Sequence, residues 1–185
     1  MNKANARHRS RDGKTPTSAL LLRSPLEFIA EDHLRLRTMC AEMGRMAHAK
    51  ILNVDDVSCL RDYLMHELPA LLADEDNDLM PLVEARAEPD DEIVRLIERL
   101  SEEHAHIDVL INRVLPLLDG VALGGSVSRV LSGALLSLAG LTRRHLILEN
   151  AILLPLARVR LTEVDFERLR DAMIKRRGLE GLFAE

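Results

Sequence analysis

The sequence predicts an all-α protein: an up-down-up-down four-helix bundle with a short C-terminal helix and a disordered N-terminal arm. Hydrophobic residues make up 47% of the chain but aromatic residues only 2%, and tryptophan is absent. The core must therefore be built from aliphatic side chains, which favours helices packed on helices. Apolar residues also recur at steps of three and four along four long stretches, which is the period of an α-helix. Short connections between these stretches make antiparallel neighbours the simplest topology.

The composition also argues against several classes of function. The net charge is −5, and acidic and basic residues are interspersed, which is not typical of a nucleic-acid-binding surface. No apolar run approaches the roughly 18 residues of a membrane span, and no export signal is recognisable. We therefore expect a cytoplasmic protein with no nucleic-acid or membrane partner. The composition does not argue against a small ligand, a protein partner or a homodimer.

Three regions can be distinguished along the 185 residues. Residues 1–22 are polar, basic and aperiodic, which predicts a disordered arm. Residues 23–160 contain the four long helices of the predicted bundle. Residues 161–185 should form an amphipathic helix, capped at Thr162, and a short tail.

Capping residues and prolines locate the long helices. Ser24, Pro25 and Glu27 have the spacing of a capping box with proline at the first helical position. Pro69 should kink or divide the second helix. Ser126 is the expected cap of the fourth. The second to fourth helices are expected over about 55–86, 89–119 and 126–158.

Polar side chains interrupt each of the four apolar stripes. His145 and Glu149 lie four residues apart in the fourth helix, so they share one face. His33, Glu75 and His104 likewise occupy apolar-phase positions in the first three helices. Burying such groups is costly unless each is hydrogen-bonded, paired or bound to a metal.

These five polar groups should also lie at one depth of the bundle. Counted from the helix ends that meet in an antiparallel arrangement, all five are roughly 14 to 20 Å from the same end. Imidazoles and carboxylates together suit iron, manganese or zinc, although a buried hydrogen-bonded network would use the same residues. Asp108, four residues after His104, is a candidate additional ligand. In the acidic run 74–78 only Glu75 has the inward phase, so most of the other residues in the run should be solvated.

Two stretches carry a family resemblance. Residues 68–81 and 145–155 resemble the HxxxE-type helical motifs of hemerythrin-like, HHE cation-binding domains, and the resemblance extends over about 24–160. It implies a four-helix bundle that holds a non-haem di-iron centre, in which two carboxylates bridge the metals. Carried over by position, the implied metal ligands are His33, Glu75, His104, His145 and Glu149.

One position departs from the family pattern. The family has a histidine four residues before the glutamate of the second helix, and this chain has Leu71 there. Leucine cannot coordinate a metal, so the side served by His33 is left poor in nitrogen ligands. Asp108 stands where some members have a second histidine on the third helix. We therefore expect one metal to be held firmly and a second weakly or not at all.

The resemblance implies a function as well. A hemerythrin-like protein would bind iron, one or two ions per chain, and would bind or sense dioxygen, nitric oxide or peroxide. Zinc and manganese are alternative metals. A metal-free bundle with a structural or partner-binding role is the competing hypothesis. An enzyme ranks below both, because the sequence contains no recognisable substrate pocket, nucleophile or phosphate loop, and no catalytic residue is predicted.

Overall fold

The computed structural model describes residues 13, 15–88, 91–122 and 126–184, and this part of the chain is helical without any β-strand. The all-α prediction is therefore confirmed. The α-helices are α1 (Pro25–His48), α2 (Val54–Asp62), α3 (Leu68–Asp74), α4 (Met80–Arg86), α5 (Ile93–Ala122), α6 (Arg129–Leu148), α7 (Leu154–Arg160), α8 (Glu163–Arg176) and α9 (Glu180–Phe183). Three five-residue π turns join some of them: π1 (Tyr63–Glu67), π2 (Glu75–Leu79) and π3 (Glu149–Leu153).

Each π turn ends two residues before a proline. The prolines are Pro69, Pro81 and Pro155, each of them the second residue of an α-helix. Proline has no N–H, and its ring would press on the carbonyl four residues earlier in a regular helix. A turn that is wider by one residue relieves that contact, so the chain continues as a helix. The predicted division at Pro69 thus takes the form of a π turn.

The first and last long segments run in opposite directions. Glu27, near the start of α1, pairs with Arg158 in α7 at 2.8 Å. Further along α1, the carbonyl of Cys40 accepts a hydrogen bond from Arg143 in α6 at 2.8 Å. Because the order of these contacts is reversed along the two segments, α1 is antiparallel to α6 and α7.

The same reversal relates α2, π2 and α5. Arg61 in α2 pairs with Asp119 near the end of α5 at 2.6 Å. Asp76 in π2 accepts a hydrogen bond from Ser101, nearer the start of α5, at 3.2 Å. Leucine, isoleucine, valine and methionine side chains fill the core between these segments. No described helix combines the length and the apolar character that crossing a membrane would require.

Two of the predicted helix starts need correction. Ser24 precedes Pro25 as predicted, but its side chain makes no capping hydrogen bond, so the capping box with Glu27 is not formed. The fourth long segment begins at Arg129, where the Ser128 hydroxyl accepts a hydrogen bond from the N–H of Leu131 at 3.1 Å. The cap is therefore two residues later than the predicted Ser126.

The start of α8 agrees with the prediction. The hydroxyl of Thr162 accepts from the N–H of Asp165, and the Asp165 carboxylate accepts in return from the N–H of Thr162. Arg86, at the end of α4, donates to the same carboxylate at 2.8 Å. The reciprocal cap therefore fixes the start of α8, and the ion pair with Arg86 joins α8 to α4.

The predicted N-terminal arm lies mostly outside the described residues. Its last part is ordered, which differs from the expectation of disorder over 1–22. Ala19–Arg23 form a 3₁₀ turn in which Leu22 is fully buried. The carbonyl of Gly13 accepts a hydrogen bond from Arg35 at 2.9 Å. The composition of this stretch does not reveal such a contact, because the contacting residue, Arg35, lies in α1.

Candidate metal centre

Four buried side chains converge between the long segments. Glu75 and Glu149 are the first residues of π2 and π3, His104 lies in α5, and His145 lies in α6. None is more than 2% exposed. Each offers one oxygen or nitrogen atom, and these atoms all lie within 4.8 Å of one another. The structure thus brings together residues that sequence phase and depth had placed at one level.

The two histidines face each other through their Nε2 atoms, which are 2.8 Å apart. Their outer nitrogens lie beside carboxylates: Nδ1 of His145 is hydrogen-bonded to Glu103 at 3.1 Å, and Nδ1 of His104 is 2.9 Å from Asp76, an ion-pair contact without hydrogen-bond geometry. A carboxylate at Nδ1 keeps the proton on that nitrogen and fixes the ring orientation. The arrangement therefore directs both Nε2 atoms towards the glutamates.

Each glutamate presents its two oxygens to different neighbours. Nε2 of His33 donates to Oε1 of Glu75 at 2.8 Å and lies 3.5 Å from Oε2 of Glu149. The opposite oxygens face the histidine pair: Oε2 of Glu75 is 3.6 Å from Nε2 of His104, and Oε1 of Glu149 is 3.1 Å from Nε2 of His145. Within the described chain, neither of these inner oxygens has a hydrogen-bond partner.

Unpartnered buried oxygens indicate what the site can bind. A buried carboxylate oxygen without a donor is unfavourable, and such atoms call for an explanation in each structure. Here two of them lie beside two imidazole nitrogens. Two nitrogen and two carboxylate oxygen donors form a ligand set that suits iron, manganese or zinc. The residues present therefore fit a metal cation.

The pKa values reflect strong coupling among these groups. Burial alone would lower the pKa of His33, but its bond to Glu75 and the charge of Glu149 raise it to about 9. Burial would also lower the pKa of His104, and its contacts with Asp76 and Glu149 raise it to about 10. In the metal-free protein, protons on these histidines balance the buried negative charge.

The two glutamates shift in opposite directions. Burial and the charge of Glu149 raise the pKa of Glu75. Burial would raise the pKa of Glu149 too, but its contacts with His104 and His145 hold it well below its usual range. Glu149 is therefore the carboxylate that stays ionised. A cation between the inner oxygens would meet a negatively charged group over the whole neutral pH range.

Comparison with known protein families now identifies this arrangement. The chain matches the hemerythrin HHE cation binding domain over residues 24–157. It belongs to the hemerythrin HHE family. The match confirms the resemblance drawn from residues 68–81 and 145–155. Comparisons with curated proteins and with solved structures gave no significant match.

One side of this HHE domain has fewer ligand atoms than the other. Leu71 is buried one helical turn before Glu75 and offers none. His33 lies on this side, with Nδ1 at 3.3 Å from the Asn150 side-chain oxygen. Asp108 is exposed on α5 and does not reach the four converging side chains. The buried stripe of α5 continues from His104 through Ile107, one residue out of phase with Asp108.

The acidic run 74–78 is less solvated than the sequence suggested. Asp74 is completely buried, and its carboxylate is bound by Arg176, at the end of α8, and by the next residue, Arg177. Asp76 is beside His104, and Asp78 pairs with Arg176 at 2.6 Å. The expectation that the neighbours of the inward-facing glutamate are free surface charges is wrong for Asp74, because its partners are about a hundred residues away along the chain.

Glu103 is a second residue that sequence reasoning missed in this HHE domain. It precedes His104 by one residue, so the two side chains leave α5 in different directions. Its contact is with His145 on the neighbouring helix α6. Spacing within one helix could not reveal that contact. Only the antiparallel register of α5 and α6 brings Glu103 to the outer nitrogen of His145.

Proposed function

We propose that this HHE domain is a non-haem iron-binding protein that binds or senses dioxygen, nitric oxide or peroxide. In the proposal Glu75, His104, His145 and Glu149 hold one metal ion, and the long segments form an up-down-up-down four-helix bundle around it. The observation that carries the proposal is the pair of unpartnered carboxylate oxygens beside two inward-facing Nε2 atoms.

The donor set supports a metal with room for a further ligand. Two imidazoles and two carboxylates leave coordination positions free on an iron or manganese ion that takes six ligands. Bound iron would supply a redox-active Lewis acid with an open position for a small ligand. The protein supplies a site that is almost closed to water, since none of the four residues is more than 2% exposed. Outer carboxylates on Asp76 and Glu103 would keep the histidines oriented.

The contacts of His33 favour one metal over two. Its Nε2 donates to the outer oxygen of Glu75 and lies near the outer oxygen of Glu149. In a two-metal arrangement with bridging carboxylates, these outer oxygens would face the second ion. Here an imidazole is in contact with them, and Leu71 contributes no replacement ligand. His33 would therefore support the carboxylates of Glu75 and Glu149 from their outer side, where a second cation would otherwise lie.

A metal-free bundle is the alternative, with the same polar cluster as a structural network. The 2.8 Å contacts between His33 and Glu75 and between His104 and His145 favour it, because each of these side chains then has a partner without a metal. The unpartnered inner oxygens of Glu75 and Glu149 argue against it. Such a bundle would serve as a partner-binding module, as a monomer or a homodimer.

Metal reconstitution distinguishes the two functions. The full chain, purified without chelator, is loaded anaerobically with ferrous iron and then exposed to air. We expect one iron per chain, a near-ultraviolet band from the ferric carboxylate site and a melting temperature that falls when chelator is added. The variant His66→Ala is a matched control, since His66 is exposed and outside the cluster.

The possible outcomes separate the parts of the proposal. A colourless protein whose melting temperature responds to neither iron nor chelator would support the metal-free bundle. Two tightly held irons would contradict the single-metal stoichiometry while leaving iron binding intact. Binding of manganese or zinc in preference to iron would correct the identity of the metal. Spectra recorded with dioxygen, nitric oxide and peroxide would then identify the small ligand.

A further inference from the structure

The end of helix α8 contacts the segment that carries Glu75. Arg177 forms two hydrogen bonds with the carboxylate of Asp74, one on each oxygen, at 3.0 and 2.5 Å. Arg176 binds the same carboxylate and also donates to Asp78 at 2.6 Å. Arg176, the last residue of α8, and Arg177, the residue that follows it, are thus joined to two aspartates on either side of Glu75 in the sequence.

One of these aspartates lies immediately before the π turn and the other lies within it. Asp74 is the residue immediately before π2, and Asp78 is its fourth residue. Arg176 therefore bridges the turn from outside, while Glu75 points inwards from its first position. A π turn is a local departure from the α-helix, so its geometry depends on neighbouring contacts more than that of a regular helix does. The arginine contacts join this turn to the end of α8, in addition to the contacts of Glu75 with His33 and of Asp76 with His104.

The arginines are themselves fixed. Arg177 donates to the carbonyl of Met173 at 3.0 Å, and its guanidinium carbon lies 4.8 Å from the centre of the Phe28 ring of α1. Asp74 is fully buried, and a buried ion pair that loses one partner leaves a charge without compensation. The arrangement is therefore sensitive to the loss of either arginine, in contrast to an exposed surface pair.

We propose that Arg176 and Arg177 are positioning residues for the metal centre. By holding Asp74 and Asp78, they fix the π turn that presents Glu75, so docking of α8 and metal binding stabilise each other. The inference rests on the metal-binding function proposed above. It adds a role for a helix that follows the matched region 24–157 and contributes no ligand of its own.

The test compares metal affinity in full-length variants, using ferrous iron under anaerobic conditions in competition with a chelator. Arg176→Gln/Arg177→Gln should lower the affinity by about tenfold or more, the range found when residues that orient metal ligands are lost. Arg170→Gln is the matched control, because Arg170 lies on the same helix and pairs only with Asp171 in the part of the chain that the structure describes. The double lysine variant should restore part of the affinity.

Hydrogen exchange provides a second readout. If docking and binding are coupled, iron should slow the exchange of amides in residues 163–176 of the wild type, and this effect should be lost in the double glutamine variant. A helix that only adds stability would gain no more iron-dependent protection than the rest of the chain gains from global stabilisation. If the double glutamine variant does not fold, Asp78→Asn replaces it in the test. This variant removes only the contact with Arg176 and should lower the iron affinity several-fold.

The outcomes are distinguishable from those of the functional proposal. If the wild type binds iron and the folded arginine variants bind it equally well, the positioning role is overturned and the metal function stands. If the wild type binds no metal, the metal function itself fails, and the positioning role fails with it. An equal loss of affinity in Arg170→Gln would also contradict the proposal, because it would show a general effect of helix stability.

Discussion

His33 and Glu75 form a buried hydrogen bond of 2.8 Å on the oxygen that faces away from the histidine pair. The other oxygen of Glu75 points towards His104 and has no hydrogen-bond partner in the described chain. One carboxylate therefore has a satisfied outer side and an unsatisfied inner side. This difference is why the inner side is the stronger candidate for a cation, and it leads to four predictions about the site.

Replacing Leu71 with histidine should restore ligands on the outer side. An imidazole one turn before Glu75 would lie near the outer carboxylate oxygens, so Leu71→His should raise the iron content from one towards two per chain. The metal-free variant should lose about 1 to 3 kcal/mol of stability, because a polar ring replaces a buried apolar side chain. Elemental analysis and the near-ultraviolet spectrum measure the gain. Leu72→His, buried at the next position, is the control. An unchanged iron content and spectrum would show that the missing ligand has been misplaced.

Removing the charge of Glu149 should abolish metal-dependent stabilisation. At a free iron concentration of one hundred times the Kd, the wild type should gain about 2.7 kcal/mol from binding. In Glu149→Gln this gain should be mostly lost, because Glu149 is the cluster carboxylate that stays ionised. Thermal unfolding with and without iron measures the difference. Glu102→Gln, an exposed change on α5, should keep the full gain. Equal stabilisation of both variants would exclude Glu149 as a ligand.

The carboxylates at the outer nitrogens should tune metal affinity without binding the metal. Asp76→Ala and Glu103→Ala should each lower iron affinity by about 10-fold to 100-fold, since such partners orient the coordinating ring. Glu103→Gln should retain part of the affinity by accepting the same hydrogen bond from His145. Chelator competition measures these values. If the alanine variants bind iron like the wild type, the histidine rings are held by packing alone.

The stability of the metal-free protein should fall at alkaline pH. The pKa of His33 is raised from 6.5 to about 9, and that of His104 to about 10. Groups with raised folded-state pKa values contribute stability that is complete below pH 6.5 and is lost as the pH rises through 9 to 10. For His33 alone the loss is on the order of 3 kcal/mol. Urea unfolding at pH 7, 8, 9 and 10, in the presence of chelator, measures this decline.

The variant His33→Gln and the direction in which stability changes with pH both test that explanation. His33→Gln should start less stable at pH 7 and should show a shallower decline, because the titrating group has been removed. Stability that is constant or rises between pH 7 and pH 10 would show that the histidines are neutral in the folded protein. Arg and Lys side chains on the surface should contribute little to the difference between the two proteins over this range.

Much of the site followed from helical geometry alone. Steps of three and four fix the face of each residue, and the rise per residue fixes its depth, so the convergence of His104 with His145 could be predicted from counting. The same counting placed Asp108 near the site, but its side chain is exposed, because the buried stripe of α5 runs through Ile107, one residue earlier. It could not find the contact between Asp74 and Arg177, because partners on distant helices leave no local pattern. The predicted cap of α6 was also wrong by two residues, because Ser126 and Ser128 are both suitable capping residues and the local sequence does not distinguish them.

The π turns could have been anticipated in part. The sequence around Glu75 and the sequence around Glu149 both have leucine four residues after the glutamate and proline six residues after it. A proline inside a helical pattern signals an irregular turn before it. Hydrophobic periodicity cannot reveal the extra residue itself, because a step of four and a step of five both keep an apolar side chain near the core. The structure was needed to show that both glutamates begin such a turn.

The extra residue in each π turn also restricts which genetic changes the chain can accept. Deleting one residue, such as Asn77 or Ile152, would return the turn to a regular α-helix, in which the proline ring again presses on the carbonyl four residues earlier. The helix would then be kinked or broken beside the buried side chains of Met80 and Leu154. Point substitutions at these exposed positions leave the spacing intact. In relatives of this chain we therefore expect the number of residues between the glutamate and the proline to vary less than the identities of those residues.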